Sequence, residues 1–142
     1  MAAFTKYFAF IDEISKGGHN LQLPPVLKVA LTNTAPTQAT DTVWNTTVAP
    51  APGAANGYTA GGNTLTGVTG ATAAGIFKQV AADTVFTATA GGIGPFRYAI
   101  LYNSSATNKV IGYYDYGSSI TLNSTDTFTV DFDATNGVYT IT

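Results

Sequence analysis

Between Ala2 and Lys16, apolar residues recur at helical spacing: Phe4, Phe8 and Ile11 make one stripe, Tyr7, Ile11 and Ile14 carry it on, and Gly17-Gly18 ends it. This predicts a short amphipathic N-terminal helix within an arm spanning residues 1–18. Phe10 lies off the main stripe, so aromatic surface faces more than one way. Two uses fit such a helix: a cap on one end of a β core, or an arm that docks on a neighbouring subunit.

Beyond Pro24-Pro25, which cannot extend a helix, the period shortens to two. Val26 to Asn33 reads as a strand with Leu27, Val29 and Leu31 on one face. Residues 34–75 are rich in Ala, Thr, Gly, Pro and Asn. Pro36, Pro50, Pro52, Gly53, Asn56-Gly57 and Gly61-Gly62 punctuate them as a long loop region, with short strands at Tyr58 to Ala60 and Thr64 to Thr69. A loop of that length is usually functional or ordered by a partner.

The second half predicts strands at Ile76 to Val80, Asp83 to Ala90, Phe96 to Asn103, Lys109 to Tyr116, Ser118 to Leu122, Asp126 to Asp133 and Val138 to Ile141. Gly91-Gly92, Gly94-Pro95, Asn103-Ser104-Ser105 and Asn136-Gly137 separate them, the last being the preferred dipeptide of a tight hairpin. Phe128, Val130 and Phe132 alternate with Thr127, Thr129 and Asp131, as in a strand with one wet face. Phe96 to Asn103 is apolar on most of both faces, so it is central or lies under a partner. The expected fold is mostly β: a single domain, 1–142, forming an antiparallel β-sandwich or jelly-roll-like body over 26–142 with a short N-terminal α-helix.

Composition narrows the function. Apolar residues make up 45% of the 142-residue chain and charged residues only 10%, well under the usual share of about 25%. Threonine fills the gap with about two dozen residues, which suits close neutral contact with another protein. A net charge of -2 leaves no basic footprint for nucleic acid. No run approaches the ~20 apolar residues of a membrane span, and no basic n-region and apolar h-region open the chain. The expectation is a protein made in the cytoplasm, with no nucleic-acid or membrane partner. With no cysteine, stability rests on packing or assembly.

Candidate chemistry reduces to turns and interfaces. His19, the sole histidine, sits in a Gly-Gly-His-Asn turn with no nucleophile motif around it, and Glu13, the sole glutamate, lies beside Asp12 on the predicted helix. Asp131, Asp133, Asn136 and Gly137 imitate a calcium loop, but the ligand spacing fails and a hairpin turn is the simpler reading. Gly91-Gly92-Ile93-Gly94 leads into Pro95 and a strand rather than a helix bearing Lys-Ser or Lys-Thr, so it is no phosphate cradle. The expectation is a non-enzymatic chain without cofactor or metal. The remaining signal is aromatic: Tyr98, Tyr102, Tyr113, Tyr114, Tyr116, Tyr139 and Trp44 suit either core packing, a protein interface or a sugar platform. Charge depletion along the whole chain favours the protein interface over a single sugar patch. The expected contact residues are Phe4, Tyr7, Phe8 and Phe10 in the helix, Trp44 and Tyr58 in the long loop, and Tyr113, Tyr114 and Tyr116 in the tyrosine-rich hairpin.

Four segments together resemble a family of small virion proteins of tailed bacteriophages. They are Leu27-Lys28-Val29-Ala30-Leu31-Thr32-Asn33-Thr34-Ala35-Pro36, Asn56-Gly57-Tyr58-Thr59-Ala60-Gly61-Gly62, Gly94-Pro95-Phe96-Arg97-Tyr98-Ala99, and Ile111-Gly112-Tyr113 through Asp115-Tyr116-Gly117-Ser118-Ser119 to Thr127-Phe128-Thr129-Val130. The resemblance implies a structural protein of the head or the tail, and suggests a jelly-roll-like decoration (cement) protein. The expectation built on it is a protein on the capsid surface that self-associates, as a dimer or trimer, and binds the major capsid protein. The alternative is a tail or head-fibre component that uses the same aromatics to bind a receptor or glycan.

Overall fold

The computed structural model describes residues 2–22, 25–44 and 55–142. The chain runs β1 (Phe4–Lys6), α1 (Phe8–Ser15), β2 (Leu27–Thr32), β3 (Asn63–Thr64), β4 (Thr69–Ala73), β5 (Ile76–Val80), β6 (Thr84–Thr87), β7 (Ile93–Asn103), β8 (Lys109–Leu122), β9 (Thr127–Val130) and β10 (Tyr139–Ile141). A 3-10 turn at Ser104–Ala106 links β7 to β8. The fold is mostly β, with every strand pair antiparallel.

A five-stranded sheet, ordered β1-β8-β7-β2-β3, faces two smaller ones, β10-β5-β4 and β6-β9, in a sandwich-like arrangement. Leu27, Val29 and Leu31 of β2, Ala99 and Leu101 of β7, and Ile111 and Tyr114 of β8 project inward to meet Phe86, Val130 and Tyr139 from the small sheets. Alternation sends Tyr98 and Ile100 to the opposite face, where they pack with Tyr7 and Val110. β7 is therefore central and covered on both sides, which accounts for its lack of a polar face. The β9 alternation also appears as burial: Val130 and Phe132 are inside while Thr127, Thr129 and Asp131 are exposed.

The N-terminal segment departs from the expected helix over Ala2 to Lys16. Its first residues form β1 instead, pairing Phe4, Thr5 and Lys6 with Tyr114, Tyr113 and Gly112. Glycine at 112 makes this possible, because a Cβ there would lie 2.1 Å from the Phe4 ring. The helix begins only after Tyr7, whose extended backbone ends the strand. It closes in a Schellman arrangement, with Gly18 N–H donating to the Glu13 carbonyl and Gly17 N–H to that of Ile14. The buried face is also not the expected one: Phe10 is fully buried and Ile14 packs on the core, whereas Phe8 and Ile11 face solvent.

Further differences concern the connections. β8 is one strand where two were expected, because Gly117 sits in a long bulge that sets residues 116–119 against Arg97: Phe96 pairs with Ile120 and Tyr98 with Asp115. Gly94-Pro95 falls inside β7 instead of ending a strand. Tyr58 to Ala60 is not a strand, and the interval Thr64 to Thr69 spans the end of β3 and the start of β4. Asn136-Gly137 does turn the chain, through Gly137 N–H to the Asp133 carbonyl, but β9 pairs with β6 and β10 with β5. The reversal is closed locally by an antiparallel Asp133–Gly137 bridge, while the strands on either side belong to different sheets. Of the predicted loop region, residues 45–54, with Pro50, Pro52 and Gly53, lie outside the described residues.

Candidate interaction surface

The outer edge of β8 is closed in two stages. β1 covers Gly112 to Tyr114, Tyr7 N–H donates to the Ile111 carbonyl, and the segment at 42–44 takes over below: Val110 N–H donates to Thr42, Trp44 N–H to Asn108, and Val43 bridges Lys109. Gln38 ties this strap to the N-terminus, its carbonyl accepting from Phe8 N–H and its side-chain amide donating to the Lys6 carbonyl at 2.8 Å. Lys109 then forms an ion pair with Glu13 of α1. Three exposed apolar side chains flank this seam: Phe8 at 59% exposure, Ile11 at 51% and Val43 at 51%.

The nine aromatic residues expected at contacts separate by burial. Tyr7, Phe10, Tyr58 and Tyr114 are interior and committed to the fold's own packing. Tyr58 stacks near Phe86, and its phenolic oxygen accepts from Leu31 N–H. Phe4, Trp44, Tyr113 and Tyr116 are half-buried. Phe4 lies between Tyr114 and Tyr139, Trp44 lies over Tyr102, Tyr113 contacts both Tyr7 and Tyr98, and Tyr116 meets Phe128 edge-on. Phe8 alone of the nine is exposed. Ile11 and Val43, which join it at the seam, carried no aromatic signal. Val43 sits in a Thr-rich stretch whose strap role depends on β8.

Burial also governs the phenols. It is the main cause raising Tyr58, Tyr102 and Tyr116 to about 12, with the Leu31 amide bond opposing it at Tyr58 and Asp131 adding to it at Tyr116. Tyr7, Tyr114 and Tyr139 are pushed higher still. All therefore stay neutral hydroxyls at physiological pH, suited to packing and hydrogen bonding and not to nucleophilic work. Asp133 accepts from the Thr135 and Asn136 N–H groups, which hold its carboxylate below the ordinary range. Arg97 makes a bidentate pair with Asp115, at 2.7 and 2.9 Å, and this too lowers the aspartate. Among the described residues, no group of three or more His, Cys, Asp or Glu could hold a metal ion, and no helix is long and apolar enough to cross a membrane.

No family model, no curated protein and no solved structure matches this chain. The seam exposes Phe8, Ile11 and Val43 on the elements that carry the Asp12–Lys16 and Glu13–Lys109 ion pairs.

His19 is buried against the edge of Phe10, with Nδ1 3.3 Å from the Asn103 amide and Nε2 without a partner. Burial and then nearby Lys109 lower its pKa from the ordinary 6.5, against an opposing pull from Glu13. The unfolded chain thus takes up the proton at higher pH than the folded one. The His19 contribution is unaffected well above pH 6.5, and stability falls as pH drops through and below that value. Urea denaturation at pH 8 and pH 5.5 should show this loss, and His19→Gln should reduce it.

Proposed function

We propose that this protein is a non-enzymatic structural component of a phage virion, a decoration protein that binds the capsid shell through protein–protein contacts. The observation that carries the reading is the apolar seam of Phe8, Ile11 and Val43 on a charge-poor chain. Asp12, Glu13 and Asp115 are held in ion pairs, and Asp41, Asp83, Asp126 and Asp133 accept from backbone N–H groups. Such a surface suits contact with another protein's apolar groups and offers little to a charged ligand. The capsid as partner follows from the four segments that resemble small virion proteins of tailed phages.

The mechanism needs no chemistry. One copy burying a standard ~800 Å² per partner holds modestly, whereas a small oligomer spanning several shell subunits gains avidity, because its later contacts form intramolecularly. Bridging the joints in this way would resist the outward pressure of packaged DNA.

Phe8→Asp combined with Ile11→Gln tests the seam. Both positions are exposed, and an acid in the first helical turn suits the helix dipole, so thermal stability should change by less than about 0.5 kcal/mol. Co-sedimentation with empty expanded shells should weaken about tenfold or more, as for loss of an apolar anchor. Undiminished binding would exclude this face as the contact.

A further inference from the structure

The sheet edges are not treated alike. At β1, the Lys6 carbonyl is taken by the Gln38 amide; at β10, the Thr140 carbonyl accepts from Lys6 Nζ at 2.5 Å; at β6, the Val85 carbonyl accepts from the Asn63 amide at 2.9 Å. Side-chain donors of this kind keep a foreign strand from docking. β4 has none. It is the outer strand of its sheet, and its sequence Thr69-Gly70-Ala71-Thr72-Ala73 contains no charge and no proline. Four of its five residues are exposed and Gly70 is half-buried.

The register identifies which backbone groups face outward. β4 and β5 are joined by the two-residue loop Ala74-Gly75, with φ of 50° and 78°, so the flanking pair Ala73 and Ile76 is hydrogen-bonded. Alternation makes Ala71 with Lys78 and Thr69 with Val80 hydrogen-bonded as well, and leaves Gly70 and Thr72 in the non-bonded pairs. The N–H and C=O of Gly70 and Thr72 therefore point away from β5, toward the outer side of the sheet. On one face of the strand, Phe77 and the Leu21 carbonyl fill the space over Gly70, where a Cβ would lie 2.6 Å from the ring and 2.8 Å from the oxygen.

We propose that β4 pairs with β4 of a second copy about a two-fold axis at Ala71. The two outward residues are spaced to bond each other's symmetry mates: Gly70 faces the second copy's Thr72, and Thr72 faces its Gly70, each pair exchanging two backbone hydrogen bonds. Ala71 faces itself across the non-bonded pair, where strands come closest, and a small uncharged side chain is what that position requires. The result is a continuous six-stranded sheet, β10-β5-β4 joined to its copy. A second copy is the occupant because the edge is complementary to itself in bonding pattern, size and lack of charge. This pairing is a property of the isolated chain and holds whatever the protein attaches to.

Sedimentation velocity on the full chain, from micromolar to millimolar, tests it with three variants. The wild type should dimerise. Ala71→Lys sets two ammonium groups against each other at the axis and should weaken dimerisation roughly tenfold or more, as should Ala71→Glu alone. An equimolar mixture of the two should recover dimer, which no general loss of folding could produce. Thr72→Pro removes one outward N–H without touching a bond to β5 and should also give monomer. A wild type that stays monomeric at millimolar concentration, or charge variants that dimerise as well as wild type, would overturn the proposal.

Discussion

Replacing Phe10 by alanine is expected to cost about 3–5 kcal/mol, while the same change at Phe8 costs less than about 0.5 kcal/mol. The two residues sit on one helix and look alike in the sequence. Phe10 has no exposed surface, with its ring edge-on to Tyr139 at 5.3 Å and to His19 at 5.2 Å, so truncation opens a cavity where α1 meets β10. Phe8 is mostly exposed and leaves no cavity. For a chain of this length the Phe10 loss corresponds to a fall in melting temperature of roughly 10–15 °C. Paired thermal denaturation of the two variants measures the difference directly. Equal effects would contradict the burial of Phe10 over Phe8, and a reversed order would mean that the helix presents the other face to the core.

Gly62→Ala carries the second large effect. Gly62 has φ +78°, and a Cβ there would lie 1.9 Å from the Val29 carbonyl oxygen and 2.6 Å from Ala30 Cα. These are backbone atoms of β2, so relief requires the strand itself to move, and the neighbouring turn moves with it: the Gly61 carbonyl accepts from the Tyr102 hydroxyl at 2.7 Å. The expected cost is about 3 kcal/mol or more, above the ~1 kcal/mol that left-handed backbone alone exacts from alanine. Gly75→Ala is the control. Its φ is also +78°, but nothing lies within 4 Å, so only the conformational part should appear. Urea denaturation of both variants separates steric contact from backbone preference.

The strands were legible where one rule governed burial. In β9, apolar and polar residues alternate because one face meets the core, and in β7 both faces read apolar because both are covered. The start of the chain was not legible for the same physical reason. Phe4-Thr5-Lys6-Tyr7 suits either period, and the choice is made by pairing with Gly112 to Tyr114 in β8, a contact distant in sequence. Once the helix begins at Phe8 it has just over two turns, too few to fix its inner face. Phe8 with Ile11 and Phe10 with Ile14 are both valid stripes, and only tertiary packing selects the second.

The same limit applies to the aromatic residues. Composition marked them as contact-makers, yet Tyr58 and Tyr114 find their partners inside the sandwich and Tyr113 lies between Tyr7 and Tyr98. His19 follows a glycine pair that ends the helix, which suggests an exposed turn. The closing of α1 onto β10 instead carries the ring into the core beside Asn103. The exposed seam at Phe8, Ile11 and Val43 depends on the strap of residues 37–44, whose course is set by hydrogen bonds to β8 that no local pattern records.

The most direct test of the capsid reading is electron microscopy of empty expanded phage shells lacking this protein, after mixing with the purified chain. Added density is expected at regular positions on the icosahedral lattice, with the α1 face toward the shell. Bare shells at saturating protein would contradict that reading.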